Sequence, residues 1–243
     1  LKKKITSCLK KYLENRYMGK NIILTEKKWN KNIIDTLEAK FPSLSFELIS
    51  SKEDFSQESL ENKSVGKIFI PHWSYIIPKN IYEKYECVVF HMTDLPFGRG
   101  GSPLQNLISR GYTETKISAL RVTKGLDAGP IYLKKNLSLL GTAEEVFIRA
   151  NKVVEEMIIE IIEKNLQPQE QEGEVTLFKR RTPEMSDISG IDNINKLFDH
   201  IRMLDAEGYP QAYLETDEFR FEFNRASLKA DNSIIADVRI FKK

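Results

Sequence analysis

At 243 residues, with 37 basic against 35 acidic side chains and a net charge of +2, the chain can form one large domain, alone or with a small appendage. That balance excludes a nucleic-acid surface predicted from charge alone, and no apolar run approaches the roughly 18 residues needed to span a bilayer. Cys8 and Cys87 have neither metal-ligand nor redox spacing, so a soluble cytoplasmic protein without a metal is expected.

In chain order, residues 1–17 are basic and weakly amphipathic, and they read as an N-terminal extension ahead of Met18. From Asn21 the period switches repeatedly. Strands are predicted at 21–25, 45–49, 67–71 and 87–91, separated by helical patterns at Trp29–Phe41, 52–62 (helix or loop) and 81–85. A helix at 103–109, a strand at 116–122 and a second strand run at 130–140 follow. Thr142 and Glu145 form a capping box that opens a long helix to about Lys164, with Val146, Ala150, Val153, Met157 and Ile161 as its apolar stripe. This alternation argues for an α/β fold with an open, mostly parallel, Rossmann-like sheet over residues 18–165. The polar, Pro/Gly-bearing run at 166–175 reads as a linker. Residues 176–243 then hold a helix near 191–204 and three short strand runs, a small α+β C-terminal subdomain.

Open sheets of this type bind ligands beyond the carboxyl ends of their strands, which nominates His72 and His91. Between the strand ending at His91 and the turn Gly125–Gly129 lies an irregular loop holding Asp94, Arg99, Gly98, Gly100 and Gly101. A histidine and an aspartate, Asp127, at two glycine-rich loop tips suit proton transfer during acyl chemistry. No serine or cysteine sits in a nucleophile elbow, the three histidines lack metal spacing, and the glycines are not a dinucleotide fingerprint. Direct acyl transfer to an incoming nucleophile remains.

The ordered segments His91-Met-Thr-Asp-Leu-Pro96, Arg99-Gly-Gly-Ser-Pro103 and Gly125-Leu-Asp127-Ala-Gly129 resemble the 10-formyltetrahydrofolate-dependent formyltransferases. The 36-residue step from His91 to Asp127 is similar to that of methionyl-tRNA and sugar N-formyltransferases, and the likeness runs from Asn21 to the C-terminus. The resemblance implies that an amine attacks the formyl carbon of N10-formyltetrahydrofolate, giving a tetrahedral oxyanion. His91 would move the proton, and Asp127 would position His91. Tyr75, Ile76 and Ile77 would border the pterin, with Val122, Thr123 and Lys124 closing the other side. Arg99, Gly100, Gly101, Arg180 and Arg181 would meet the amine substrate. In one place the chain departs from the family. The family pattern is Asn-x-His, but Val89 stands two residues before His91. His72, Thr93, Gln105 and Asn106 are candidate replacement donors for the oxyanion, His72 and Thr93 being taken into the catalytic set.

The expected amine is a small amino sugar, nucleotide-linked, of the kind used in surface-glycan biosynthesis. A methionyl-tRNA substrate is the alternative, as is a folate-binding relative weakened at Val89. Nucleic acid is otherwise not expected as a partner, nor is a membrane, and a homodimer is open.

Overall fold

Ile22, Ile23 and Leu24 are consecutive and fully buried, as expected of a strand covered on both faces. They lie in β1 (Lys20–Thr25), which pairs in parallel with β2 (Ser45–Ile49) and β3 (Val65–His72); β3 in turn pairs in parallel with β4 (Glu86–His91). This computed structural model describes residues 19–27, 30 and 32–243; the extension 1–17 with Cys8, and Met18 and Trp29, lie outside the described residues. Beyond β4 the sheet turns antiparallel through β6 (Glu114–Arg121) and β7 (Ile131–Ser138), giving the order β2-β1-β3-β4-β6-β7. The intervening β5 is the two-residue stretch Arg99–Gly100.

Alternation along the strands separates two apolar layers. Ile23, Phe69 and Val88 face a cluster containing Ile33 and Leu37 of α1 (Ile33–Lys40). Ile22, Ile68, Ile70 and Cys87 face the other side, with Leu60 of α2 (Gln57–Glu61) and Ile81 of α3 (Lys79–Tyr82). α4 (Pro103–Ile108) adds Leu104, Leu107 and Ile108 to the first layer.

The predicted long helix is α5 (Ala143–Glu163). Thr142 Oγ1 accepts from Glu145 N, and Glu145 accepts from Thr142 N, the reciprocal cap read from the sequence. Its buried stripe runs through Val146, Ala150, Val154, Met157, Ile158 and Ile161, with Val153 partly buried against the same core. Each of the Val, Met and Ile side chains, once buried, contributes about 1.5–3 kcal/mol relative to exposure.

The run at 166–175 is an ordered strap. Gln169 bridges Ile131 of β7, and Leu177–Phe178 (β8) pairs in parallel with β5. A 3-10 turn at Pro183–Ser186, α6 (Ile194–Arg202) and the antiparallel strands β9 (Ala212–Glu215), β10 (Phe219–Leu228) and β11 (Ile234–Lys242) complete the chain. Ile201, Met203, Leu204 and Ala212 join the same apolar cluster as β1 and α5. Buried Arg202 reinforces the junction by donating to the carbonyls of Leu139 (2.7 Å) and Gly141 (2.8 Å) and to Asp199 (2.7 Å).

Candidate active site

β4 ends at His91, and the glycine loop folds back against it. Gly98 has φ +77, and a Cβ there would lie 2.8 Å from both the Phe178 ring and the Thr93 methyl, so glycine alone brings this backbone close. Its carbonyl stands 2.7 Å from His91 Nε2. A carbonyl can only accept, so Nε2 carries the ring hydrogen and Nδ1 is the basic nitrogen. Nδ1 lies 3.5 Å from Asp127 Oδ2, and both side chains are largely buried. The pair can take a proton at Nδ1 and hold the resulting cation against the carboxylate.

Asp127 occupies the left-handed region, φ +50, which a non-glycine residue holds only when its surroundings over-determine it. Gly100 N donates to Asp127 Oδ2 at 2.9 Å. The side chain of Gln171, in the strap, donates to the carbonyls of Asp127 and Gly129, both at 2.8 Å. Gln171 Oε1 accepts from Arg99 Nε (3.1 Å) and Nη2 (2.8 Å). Gln171 therefore joins the His91 loop to the Asp127 loop. It was not among the residues nominated from sequence, where it sat in a polar, Pro/Gly-bearing run.

A cavity of about 710 Å³ opens beside this pair. One wall is Trp73–Pro78, where Trp73 and Tyr75 meet edge-on at 5.4 Å and Tyr75 and Ile76 are exposed. Val122–Asp127 line it too. Gly100, Gly101 and Arg180 line it as well, and so do Phe147 and Tyr209, stacked at 5.3 Å. Burial pushes the Tyr209 phenol up to about 12, with Arg180 opposing.

Of the other nominated residues, His72 and Gln105 line the cavity, and Arg99, Arg181, Thr93 and Asn106 do not. Arg99 does not line the cavity, being spent on Gln171. Arg181 is also outside it, its guanidinium against the Met185 carbonyl and His200. Thr93 is fully buried, with its hydroxyl directed to the Gly98 carbonyl. Gln105 donates to the Met203 carbonyl, and Asn106 donates to the carbonyls of Gly101, Ser102 and Lys179. Asp94 pairs with Lys116 and Lys134 rather than with His91. Burial opposes its ionisation, but hydrogen bonds from the two lysines outweigh that and lower its pKa.

His72 is displaced by a register shift. Ile23 opposes Phe69 while Thr25 opposes His72, so β3 spends three residues where β1 spends two. The shift turns His72 to the α5 side, where its ring meets Phe147 edge-on at 5.8 Å. Val89 packs with the opposite layer, beside Ile70. His72 nevertheless lines the cavity, as Val89 does. Burial pulls its pKa down to about 4, Lys27 adding and Glu26 opposing, which makes it a neutral ring at physiological pH.

An α/β sheet here carries a histidine–aspartate pair beside a ligand-sized cavity, an arrangement suited to proton transfer on a bound small molecule. The chain belongs to the formyl transferase family, whose model matches residues 18–162; a second model, methionyl-tRNA formyltransferase C-terminal domain, matches 183–241. It is similar to the methionyl-tRNA formyltransferase of Thermodesulfovibrio yellowstonii, 29% identical over 159 residues, covering 62% of this chain and 52% of that protein. The Rickettsia felis methionyl-tRNA formyltransferase is 30% identical over 158 residues, with the same coverage. The chain thus spans about half the length of the curated relatives it matches. Among solved structures, a methionyl-tRNA formyltransferase from Clostridium thermocellum superposes with a TM-score of 0.89 at 49% identity, covering 92% of this chain and 99% of that one. A sugar N-formyltransferase from a Shewanella species shares the fold, with a TM-score of 0.64 at 15% identity over 90% of this chain and 96% of that one.

Proposed function

We propose that the chain transfers a formyl group from N10-formyltetrahydrofolate to a primary amine, with His91 and Asp127 as its catalytic residues. The observation that carries this is His91 Nδ1 lying 3.5 Å from Asp127 Oδ2 at the cavity wall, with the tautomer held by the Gly98 carbonyl. The folate supplies an activated formyl carbon. His91 accepts the proton that the attacking amine sheds, Asp127 stabilises the imidazolium, and the proton is returned to N10 as the C–N10 bond breaks, releasing tetrahydrofolate and the N-formyl amine. The Trp73–Pro78 ledge, including Tyr75, Ile76 and Ile77, fits the flat pterin. Val122, Thr123 and Lys124 line the same cavity, and its volume lies in the range of small-molecule sites. Gly100, Gly101 and Arg180 face the amine.

Methionyl-tRNA is the amine that the named relatives support, the 49%-identical structure above all. An amino sugar is the second reading, favoured by the near-zero charge balance. Lys179-Arg180-Arg181 is the tight basic cluster of the C-terminal subdomain, and with Arg181 tied to Met185 and His200 it offers no extended basic surface for a tRNA backbone. The test offers the protein 10-formyltetrahydrofolate with methionyl-tRNA or with a panel of nucleotide-linked amino sugars, and follows formylated product by mass spectrometry. Product from either amine is expected, and its identity decides between the readings. Folate binding without turnover of any amine overturns both.

A further inference from the structure

We propose that Gln105 is a specificity-determining residue whose Oε1 accepts a hydrogen bond from a sugar hydroxyl beside the reacting amine; this rests on the formyl-transfer reading above. Gln105 is 4% exposed and lines the cavity. Its Nε2 lies 3.2 Å from the Met203 carbonyl, which can only accept, so the nitrogen is the end turned to Met203 and Oε1 is the end left over. Among the described residues no donor reaches Oε1, and the atom is open to the cavity. Gln105 was nominated from sequence as a donor to the oxyanion. The C-terminal subdomain takes that donor and leaves an acceptor. An amide oxygen on so buried a residue is satisfied by a ligand or by water.

The surroundings define the ligand group. Gln105 sits in the first turn of α4, four positions after Gly101, and Asn106 ties that turn to the carbonyls of Gly101 and Ser102. Around the cavity, Leu104, Phe147, Ala150 and Val154 belong to the first apolar layer, whereas Trp73 and Ile77 of the pterin ledge belong to the second. The side holding Gln105 is therefore the one left to the amine substrate. His72 is neutral there and the Tyr209 phenol stays protonated. Among the described residues Asp127 is the one carboxylate lining the cavity, and it is committed to His91. A cationic donor at Oε1 would enter without a counter-charge, while a hydroxyl needs none. Both amines considered above carry such a hydroxyl: the ring hydroxyl next to the amine of an amino sugar, and the ribose 2′-hydroxyl at the aminoacylated end of a tRNA. A methionine side chain has no donor and would leave Oε1 unpaired.

Equilibrium binding to the full chain, without folate, tests this. The ligands are methionyl-tRNA and a panel of nucleotide-linked amino sugars. Each is paired with a counterpart lacking the hydroxyl: tRNA ending in 2′-deoxyadenosine, or the deoxy sugar. The wild type is expected to bind the hydroxyl form of one kind about 3- to 10-fold more tightly than its deoxy counterpart, and that kind identifies the source. Gln105→Met should bind both forms alike. Gln105→Glu keeps an acceptor but gives up the donor to Met203, so it should still prefer the hydroxyl form; a merely structural role would make the two variants behave alike. Equal binding of both forms by the wild type, a preference that survives in Gln105→Met, or no binding of either kind would each overturn the proposal. Should Gln105→Met fail to fold by circular dichroism, loss of the preference in Gln105→Glu overturns it instead. Failure of the transfer reading shows separately, as a bound amine left unformylated once 10-formyltetrahydrofolate is added.

Discussion

Gln171→Met removes, at nearly constant volume, the amide that connects the two catalytic loops. Two donors to the Asp127 and Gly129 carbonyls and one acceptor for the Arg99 fork are lost. Neutral hydrogen bonds contribute about 0.5–1.5 kcal/mol net, and those to charged groups about 1.5–3. Gln171 is only half-buried, so water takes over part of the loss, and a destabilisation of about 1–3 kcal/mol is expected. The larger effect falls on Asp127. Its φ of +50 persists because Gln171 holds its carbonyl and Gly100 its carboxylate. Releasing one anchor lets the carboxylate drift from His91, and a displacement of about 1 Å costs up to about 100-fold in rate. The assay is steady-state formylation with a double-mutant cycle. Gln171→Met should lower kcat about 10- to 100-fold with KM for the folate little changed. In an Asp127→Asn background the same change should cost less than about threefold, because the group it positions is already disabled. Multiplicative losses, or an unchanged kcat, would refute the coupling.

Four further outcomes are expected. His91→Ala and Asp127→Asn should each lower kcat by about 10²–10⁴-fold with thermal unfolding little altered; wild-type turnover in either would remove the proposed site. Val89→Asn places a donor beside the catalytic histidine, and if charge on the formyl oxygen is poorly met there, kcat should rise, up to the about 10²-fold worth of one such donor. Unchanged or lower kcat in a folded variant would mean that the oxygen does not lie against residue 89. His72 and His200 are both held near pKa 4 by burial, with Lys27 and Arg181 respectively adding to the effect, against an ordinary value of about 6.5. The unfolded chain therefore binds more protons between these values, and the stability they contribute is full above pH ~6.5 and lost as pH falls toward 4. Unfolding temperatures across that window should fall less steeply in His72→Gln than in the wild type; identical slopes would refute the assignment. Arg202→Met strands the Leu139 and Gly141 carbonyls and Asp199, and should cost about 2–4 kcal/mol in denaturant unfolding; a loss below about 0.5 kcal/mol would show that the junction does not depend on it.

The parts of the molecule legible in its sequence were those governed by local periodicity. The buried run in β1, the capping box of α5 and the position of His91 at a strand end follow from burial and hydrogen-bonding rules that act within a few residues. What was illegible depended on partners far along the chain. Gln171 meets Arg99 across 72 residues and Asp127 across 44, and nothing in a polar run marks one glutamine from its neighbours. Arg99 and Arg181 read as substrate contacts because a loop guanidinium serves a ligand or a protein carbonyl oxygen equally well. His72 lines the cavity as its strand-end position implies, but the face it presents depends on one inserted residue in β3, since a single bulge reverses the face of every later side chain.

The same long-range contacts change what counts as the catalytic unit. The two family models leave residues 163–182 between them, and that interval holds the site together. The Thr176 carbonyl accepts from Gly98 N and Arg99 N, both at 3.0 Å, and the Phe178 carbonyl accepts from Gly101 N at 3.3 Å. Gln171 holds the Asp127 turn from the same strap. The six-stranded sheet supplies His91, but the separation between His91 and Asp127 is set by a segment outside that sheet. Side chains that would otherwise be free to polarise a substrate, those of Thr93, Asn106 and Arg99, are consumed in fixing these loops. The arrangement therefore favours precise placement of one proton-accepting pair over a surplus of donors, and Val89 lies where that choice is most exposed.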